Sequence, residues 1–172
     1  MQIRKAAVSD LGAIEALYEA GRQYMRANGN RDQWIGGYPS RALLTEDIRQ
    51  EQLYLLIDDD ETPAGVFAFP YQPDPTYAEI RDGAWLTKGP YAALHRITVS
   101  AHRRGLAGFI VREMAEQARQ KGMVSVRVDT YRANLPMQHV LEKNGFVRCG
   151  IISLTGDFDD PIRLRIAYEK VL

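Results

Sequence analysis

Two arginines and two glycines occupy the stretch Ser100-Ala101-His102-Arg103-Arg104-Gly105-Leu106-Ala107-Gly108, which joins an apolar run at residues 94–99 to a helical pattern at residues 105–120. These residue types in this order describe an anion site. Glycine and alanine let a backbone come close to a ligand, and the first turn of a helix presents N–H groups with no partner inside the helix. Arginines in that turn face the positive end of the helix dipole, an unfavourable arrangement that a bound anion offsets. The alternative is that Gly105 and Gly108 only permit a tight turn and the arginines are solvated. The stretch lacks the Gly-Lys-Ser/Thr ending of a nucleotide loop and the spacing of Gly-x-Gly-x-x-Gly, so a different phosphate-bearing ligand is expected.

The elements that hold this turn follow from hydrophobic spacing. Residues 2–6 read as a strand, and Leu11, Ile14, Leu17 and Tyr18 recur at helical spacing behind Ser9 as N-cap. Residues 26–40, with Asn28-Gly29-Asn30 and Gly36-Gly37 around Trp34, interrupt that helix, and a second short one is predicted over 43–50. Residues 53–57 and 65–69 form a predicted hairpin across the charged turn at 58–63, and residues 70–90, with four prolines and two glycines, form an irregular excursion. Order returns with a strand at 94–99 and a helix at 105–120 whose Leu106, Ile110, Met114 and Ala118 share one face, closed by Lys121-Gly122. Alternating Val124, Val126 and Val128 mark the next strand. Asn134 opens a short helix ending at Asn144-Gly145, and strands at 146–154 and 163–168 finish the chain. Strand, helix, strand, helix, strand in this half implies a parallel pair joined by a right-handed crossover within an otherwise antiparallel sheet.

At 172 residues the chain fits one domain, residues 1–172, long enough to bury roughly 70% of the surface its unfolded form exposes. Cys149 is the only cysteine, which excludes an intramolecular disulfide and makes a cytoplasmic location the default. The first residues lack the pattern of a signal peptide, and no apolar run approaches the roughly 20 residues of a membrane span, so no membrane association is expected. Lys plus Arg equal Asp plus Glu at 22 each. No global positive field therefore holds nucleic acid, and any anion site must be local. No metal is expected.

The segment His102, Arg103-Arg104, Gly105, Leu106, Ala107 resembles the signature of the GNAT family of N-acetyltransferases: Gln or Arg, two residues, Gly, one residue, then Gly or Ala. His102 departs from the usual first residue and the other fixed positions match. Ile97-Thr98-Val99 is similar to the family's strand before the loop, and Asn134 with Leu141-Glu142-Lys143-Asn144-Gly145-Phe146 is similar to its late helix and Gly-Phe exit. The order of elements agrees over nearly the whole chain. The resemblance implies an α+β fold, an α/β/α sandwich around a mixed, mostly antiparallel sheet of about seven strands, the fourth and fifth parallel, with about four helices. It also implies acetyl-CoA as cofactor. The backbone of Ile97, Thr98 and Val99 would face the pantetheine and thioester, His102 to Gly108 would hold the pyrophosphate, and Asn134 would touch the cofactor from the next helix or serve as a plain N-cap ahead of Pro136.

Amine attack on a thioester needs a neutral nucleophile. At pH 7, deprotonating a lysine-like amine costs about 4.6 kcal/mol, whereas a thiol departs as thiolate for about 2 kcal/mol, so a base matters more than an acid. His95 is the first candidate base, because its strand leads to the thioester site and imidazole titrates near neutrality. Asp129 is a candidate to hold a water or the amine. The family's frequent tyrosine acid is replaced here by Leu141; either Tyr131 substitutes, or the thiolate leaves unassisted, or the chain only binds the cofactor. A strand amide of residues 97–99 would meet the oxyanion. Trp34, Tyr38, Tyr77 and Trp85 line an acceptor pocket or staple long loops. Glu79, Asp82 and the acidic turn Asp157, Asp159 and Asp160 border an acceptor or are solvated, and His139 is assigned to packing or surface. The leading expectation is an enzyme acetylating a primary amine on a small molecule or protein. A non-catalytic acyl-CoA sensor is the rival, a nucleic-acid-binding domain conflicts with the charge balance, and a homodimer is allowed.

Overall fold

The computed structural model describes residues 1–101, 104–155 and 163–172. It divides into two compact units, residues 1–69 with 95–110 and residues 70–94 with 111–172.

The first unit holds β1 (Gln2–Lys5), α1 (Leu11–Ala27), α2 (Arg41–Arg49), β2 (Leu53–Ile57) and β3 (Pro63–Ala68). α1 buries Leu11, Ile14, Tyr18, Gly21 and Met25, one face at helical spacing. Leu11, Ile14 and Tyr18 join Leu44 of α2 and Leu53, Leu55, Val66 and Ala68 of the strands in one apolar cluster, and each large side chain so enclosed stabilises the fold by about 1.5–3 kcal/mol. Ser9 does not cap α1. It lies in a single 3-10 turn, Val8–Asp10, which Asp10 fixes by accepting from the Ala7 amide at 2.8 Å and from Arg4. α2 begins two residues earlier than expected because Ser40 caps it, accepting from Leu43 N at 3.2 Å. The predicted hairpin is present as β2 and β3, antiparallel, with β1 on the other side of β2.

The strand expected at 94–99 is present as β5 (His95–Val99), and a further short strand that the sequence did not mark, β4 (Tyr91–Ala93), precedes it, the two parted at Leu94. β5 completes the first unit's sheet, whose order is β1-β2-β3-β5. α3 (Leu106–Gln120) follows, and the chain passes from the first unit to the second inside it.

The second unit adds β6 (Ser125–Thr130), α4 (Leu135–Lys143), β7 (Val147–Ser153) and β8 (Leu164–Val171). Its sheet runs β4-β6-β8-β7, with β4 and β6 parallel and the other pairs antiparallel. The described residues thus give the expected mixed α+β architecture with four helices, as eight strands in two four-stranded sheets. β4, not the 94–99 strand, is the parallel partner. The cause is local: β4 pairs through Ala92 and Ala93 with Val126 and Arg127, while β5 pairs with β3. Residues 70–90 form the expected irregular excursion, ordered by one 3-10 turn at Pro75–Tyr77 and an isolated bridge between Arg81 and Ile151. Among the described residues no helix is long and apolar enough to cross a membrane.

Candidate functional site

β5 ends its sheet, so among the described residues one of its edges has no neighbouring strand. Against β3, Val66 pairs with Thr98 and Ala68 with His95, which leaves one extra residue on β5 and makes a bulge. Arg96 sits there at φ 51°, a left-handed geometry that costs a non-glycine residue about 1–2 kcal/mol. Ser100 N donates to Ala64 O at 2.8 Å. Because bonded residues alternate in an antiparallel ladder, Thr98 turns its N–H and C=O into the sheet, while Ile97 and Val99 turn theirs to the open edge. Thr98 therefore differs from the expectation that all three backbones face a ligand: its main chain belongs to the ladder, and its side chain lies against α1. A Cβ added to Gly21 would come within 2.4 Å of Thr98 Oγ1. His95 is half-buried at the start of β5.

Past β5, Gly105 adopts φ 85° with open space where a Cβ would stand, so it is required for conformation rather than for room. Phe109 N donates to Gly105 O at 2.9 Å, which makes Gly105 the residue from which α3 starts. The amides of Leu106, Ala107 and Gly108 then fall in the first turn, where a helix supplies no acceptor. Arg104 is exposed beside them, and Leu106 and Gly108 are buried. His102 and Arg103 lie outside the described residues, as do Asp157, Asp159 and Asp160.

Arg96 and Asp47, which the sequence reading did not single out, form a buried pair. Arg96 Nη2 donates to Asp47 Oδ2, and their side chains are 15% and 2% exposed. Gln52 Nε2 holds the other carboxylate oxygen at 2.8 Å. Burial works against the Arg96 charge, but Tyr38, Asp47 and Tyr18 outweigh it and leave the guanidinium above its ordinary value. Burial likewise pushes the Tyr18 hydroxyl up. One signal in the sequence did mark this pair: an arginine within the apolar run 94–99 and an aspartate between Leu44 and Ile48 are charges where a core is expected. Trp34 packs edge-on against Tyr18 at 5.4 Å, and Arg22 Nη1 donates to Tyr38 O at 3.0 Å, so the segment between α1 and α2 is tied to the same region.

The remaining sequence candidates lie in the second unit. Asp129 Oδ1 accepts from the Tyr77 hydroxyl at 2.8 Å, and burial, then the Asp129 charge, drive that hydroxyl well above its usual range. Tyr131 is buried, with the Arg165 guanidinium 5.4 Å from its ring centre. Asn134 caps α4, its side chain accepting from Met137 N at 3.3 Å. Tyr77 and Trp85 pack at 5.2 Å and belong with Ala93, Ile152 and Ala167 to one cluster. Leu141 is fully buried, while His139, Glu79 and Asp82 are exposed.

Residues 13–146 match the model of the Acetyltransferase (GNAT) family. A GNAT-family acetyltransferase from Streptococcus agalactiae is 31% identical, with a TM-score of 0.87 over 99% of this chain and 95% of that one. Two more distant structures share the fold. One is the spermidine N-acetyltransferase from Vibrio cholerae in complex with CoA and spermine, at 13% identity and TM-score 0.68 over 99% and 94% of the two chains. The other is the PaiA N-acetyltransferase from Thermoplasma acidophilum in complex with coenzyme A, at 17% identity and TM-score 0.69 over 99% and 98%. No curated protein matches the chain.

Proposed function

The chain belongs to the acetyltransferase (GNAT) family, and from that premise we propose that it is a cytoplasmic, acetyl-CoA-dependent N-acetyltransferase acting on a primary amine of a small molecule or protein by direct attack. The observation that carries the reading is the start of α3: a glycine at φ 85° in open space, first-turn amides and an exposed arginine, in the element that follows an open-edged strand along the chain. This donor set fits a pyrophosphate, and both Vibrio and Thermoplasma relatives carry CoA.

When bound, acetyl-CoA supplies an acyl group activated as a thioester. The amides of Leu106, Ala107 and Gly108 hold the phosphates, with Arg103 and Arg104 adding charge. The open-edge amides of Ile97 and Val99 would lie toward the thioester carbonyl, as donors for an oxyanion. His95 takes the proton from the amine, the costlier of the two proton problems. Asp129 anchors Tyr77 in this scheme, Asn134 serves α4, and Tyr131 is given no acid role, since a thiol would depart as thiolate for only about 2 kcal/mol. The full burial of Leu141 at the position of the usual acid favours one second reading, a non-catalytic acyl-CoA sensor.

Free CoA released from acetyl-CoA, measured with a thiol reagent across amines that include spermidine and peptide N-termini, separates the two. The enzyme reading expects release well above background with at least one acceptor class. Background release with every amine, while CoA still raises the thermal midpoint, establishes the sensor instead.

A further inference from the structure

We propose that the buried Arg96–Asp47 pair, together with the seat of Thr98 on Gly21, is a positioning device that holds the β5 bulge and aims the Ile97 amide at the acyl carbonyl. The inference rests on the acyltransfer reading above and deepens it. Both anchors lie in the first unit, and they bracket Ile97: Arg96 reaches Asp47 on α2, and Thr98 lies against Gly21 on α1.

The residue choice at the bulge is the first indication. A left-handed position in a strand is most cheaply filled by glycine, yet the chain has arginine at φ 51°. A side chain is therefore required there. Its guanidinium is tied to a carboxylate that is itself fixed by Gln52, so neither partner of the pair is free to swing.

The second indication is direction. Successive side chains of a strand alternate between faces, and one extra residue resets that alternation. Here Arg96 and Thr98 are both anchored on helices of the first unit, on either side of Ile97, and the Ile97 and Val99 main chain stays at the edge. Without the anchor, β5 can slip to regular pairing with β3 in the register that Ala68 and His95 set, which places Ile97 opposite Val66. The Ile97 amide would then turn into the ladder, as the Thr98 amide does now.

The third indication is strength. A charged pair with one partner 2% exposed is costly to break from one side, so it resists the local slip more firmly than an exposed pair would. Neither residue needs to touch the substrate for this role.

The test uses acetyl-CoA carrying a carbon-13 carbonyl, bound to the full chain and to Asp47→Asn, Arg96→Lys and Arg96→Gly. Three quantities are read: the infrared frequency of the thioester carbonyl, the affinity for CoA, and kcat. Wild type is expected to shift the carbonyl to lower frequency than in water. Asp47→Asn and Arg96→Gly are expected to lose most of that shift and about tenfold or more in kcat, with CoA affinity within about threefold of wild type. Arg96→Lys, which keeps the cation but not the fork, is expected between them. A carbonyl shift unchanged in Asp47→Asn and Arg96→Gly overturns the proposal, as does a parallel loss of CoA affinity, which would make the pair merely structural. Should Asp47→Asn fail to fold, Arg96→Gly decides, because glycine accepts the bulge geometry. A wild-type protein that binds no CoA defeats the acyltransfer reading rather than this one.

Discussion

Glu169 accepts from Ser125 Oγ at 2.6 Å, Thr87 Oγ1 at 2.7 Å and Arg127 Nε at 3.1 Å, and from the amides of Leu86 and Thr87. Burial works against its charge, but these donors outweigh it and hold the carboxyl below its ordinary value. Arg127 is in turn stacked 4.2 Å from the Trp85 ring centre and 4.0 Å from that of Tyr91. One carboxylate thus ties the irregular 84–87 stretch to β6 and β8. Glu169→Gln leaves a buried guanidinium without its counter-charge and is expected to cost about 3 kcal/mol by denaturant unfolding. A loss under 1 kcal/mol would show that the donors, not the charge, do the holding. At the proposed base, His95→Gln is expected to lower kcat by about 10²-fold or more without changing CoA affinity, read by steady-state kinetics and calorimetry.

Among the elements, α3 carries the most. Its first turn was legible because glycine, alanine and arginine have few structural reasons to cluster between a strand and a helix, and Gly105 indeed adopts φ 85°. Since nothing lies near its missing Cβ, Gly105→Ala is expected to cost only the backbone term, about 1 kcal/mol, and Gly105→Asn less, because asparagine tolerates the left-handed region. Equal costs for the two would point to a steric cause instead. Helix periodicity likewise gave α1 and α4 within a residue or two. β4 was not legible: three residues, Tyr91-Ala92-Ala93, are too few to show a pattern of their own ahead of the strand at 94–99, and only pairing with β6 on one side of Leu94 and with β3 on the other makes them a separate strand. The Arg96 bulge escaped for the same reason, being set by register with β3 rather than by local propensity.

For the whole molecule, stability should fall at both ends of the pH scale. Asp10, held down by the Arg4 hydrogen bonds, and Glu169 both lie below their ordinary values when folded. Their contribution is complete above the unfolded carboxylate range of about 4 and is lost as pH drops through the lowered folded values. Tyr168, raised to about 12 by burial first and then by its bond to Glu142, and the buried Tyr77 and Tyr18 act in the opposite sense. Their contribution is complete below about pH 10 and is lost as pH rises toward the raised folded values. The thermal midpoint is expected to hold from about pH 5 to 9 and to decline on either side; a midpoint unchanged down to pH 3 would contradict the acid arm. The central claim concerns α3, whose first-turn amides are assigned to the phosphates of CoA. Amide proton and nitrogen shifts of Leu106, Ala107 and Gly108, followed by NMR as CoA is added, address it directly. All three amides are expected to move together and saturate with CoA, and the Arg103→Glu, Arg104→Glu variant to weaken that saturation by about 100-fold. Saturable CoA binding that leaves these three amides unmoved, or no binding at all, would contradict it.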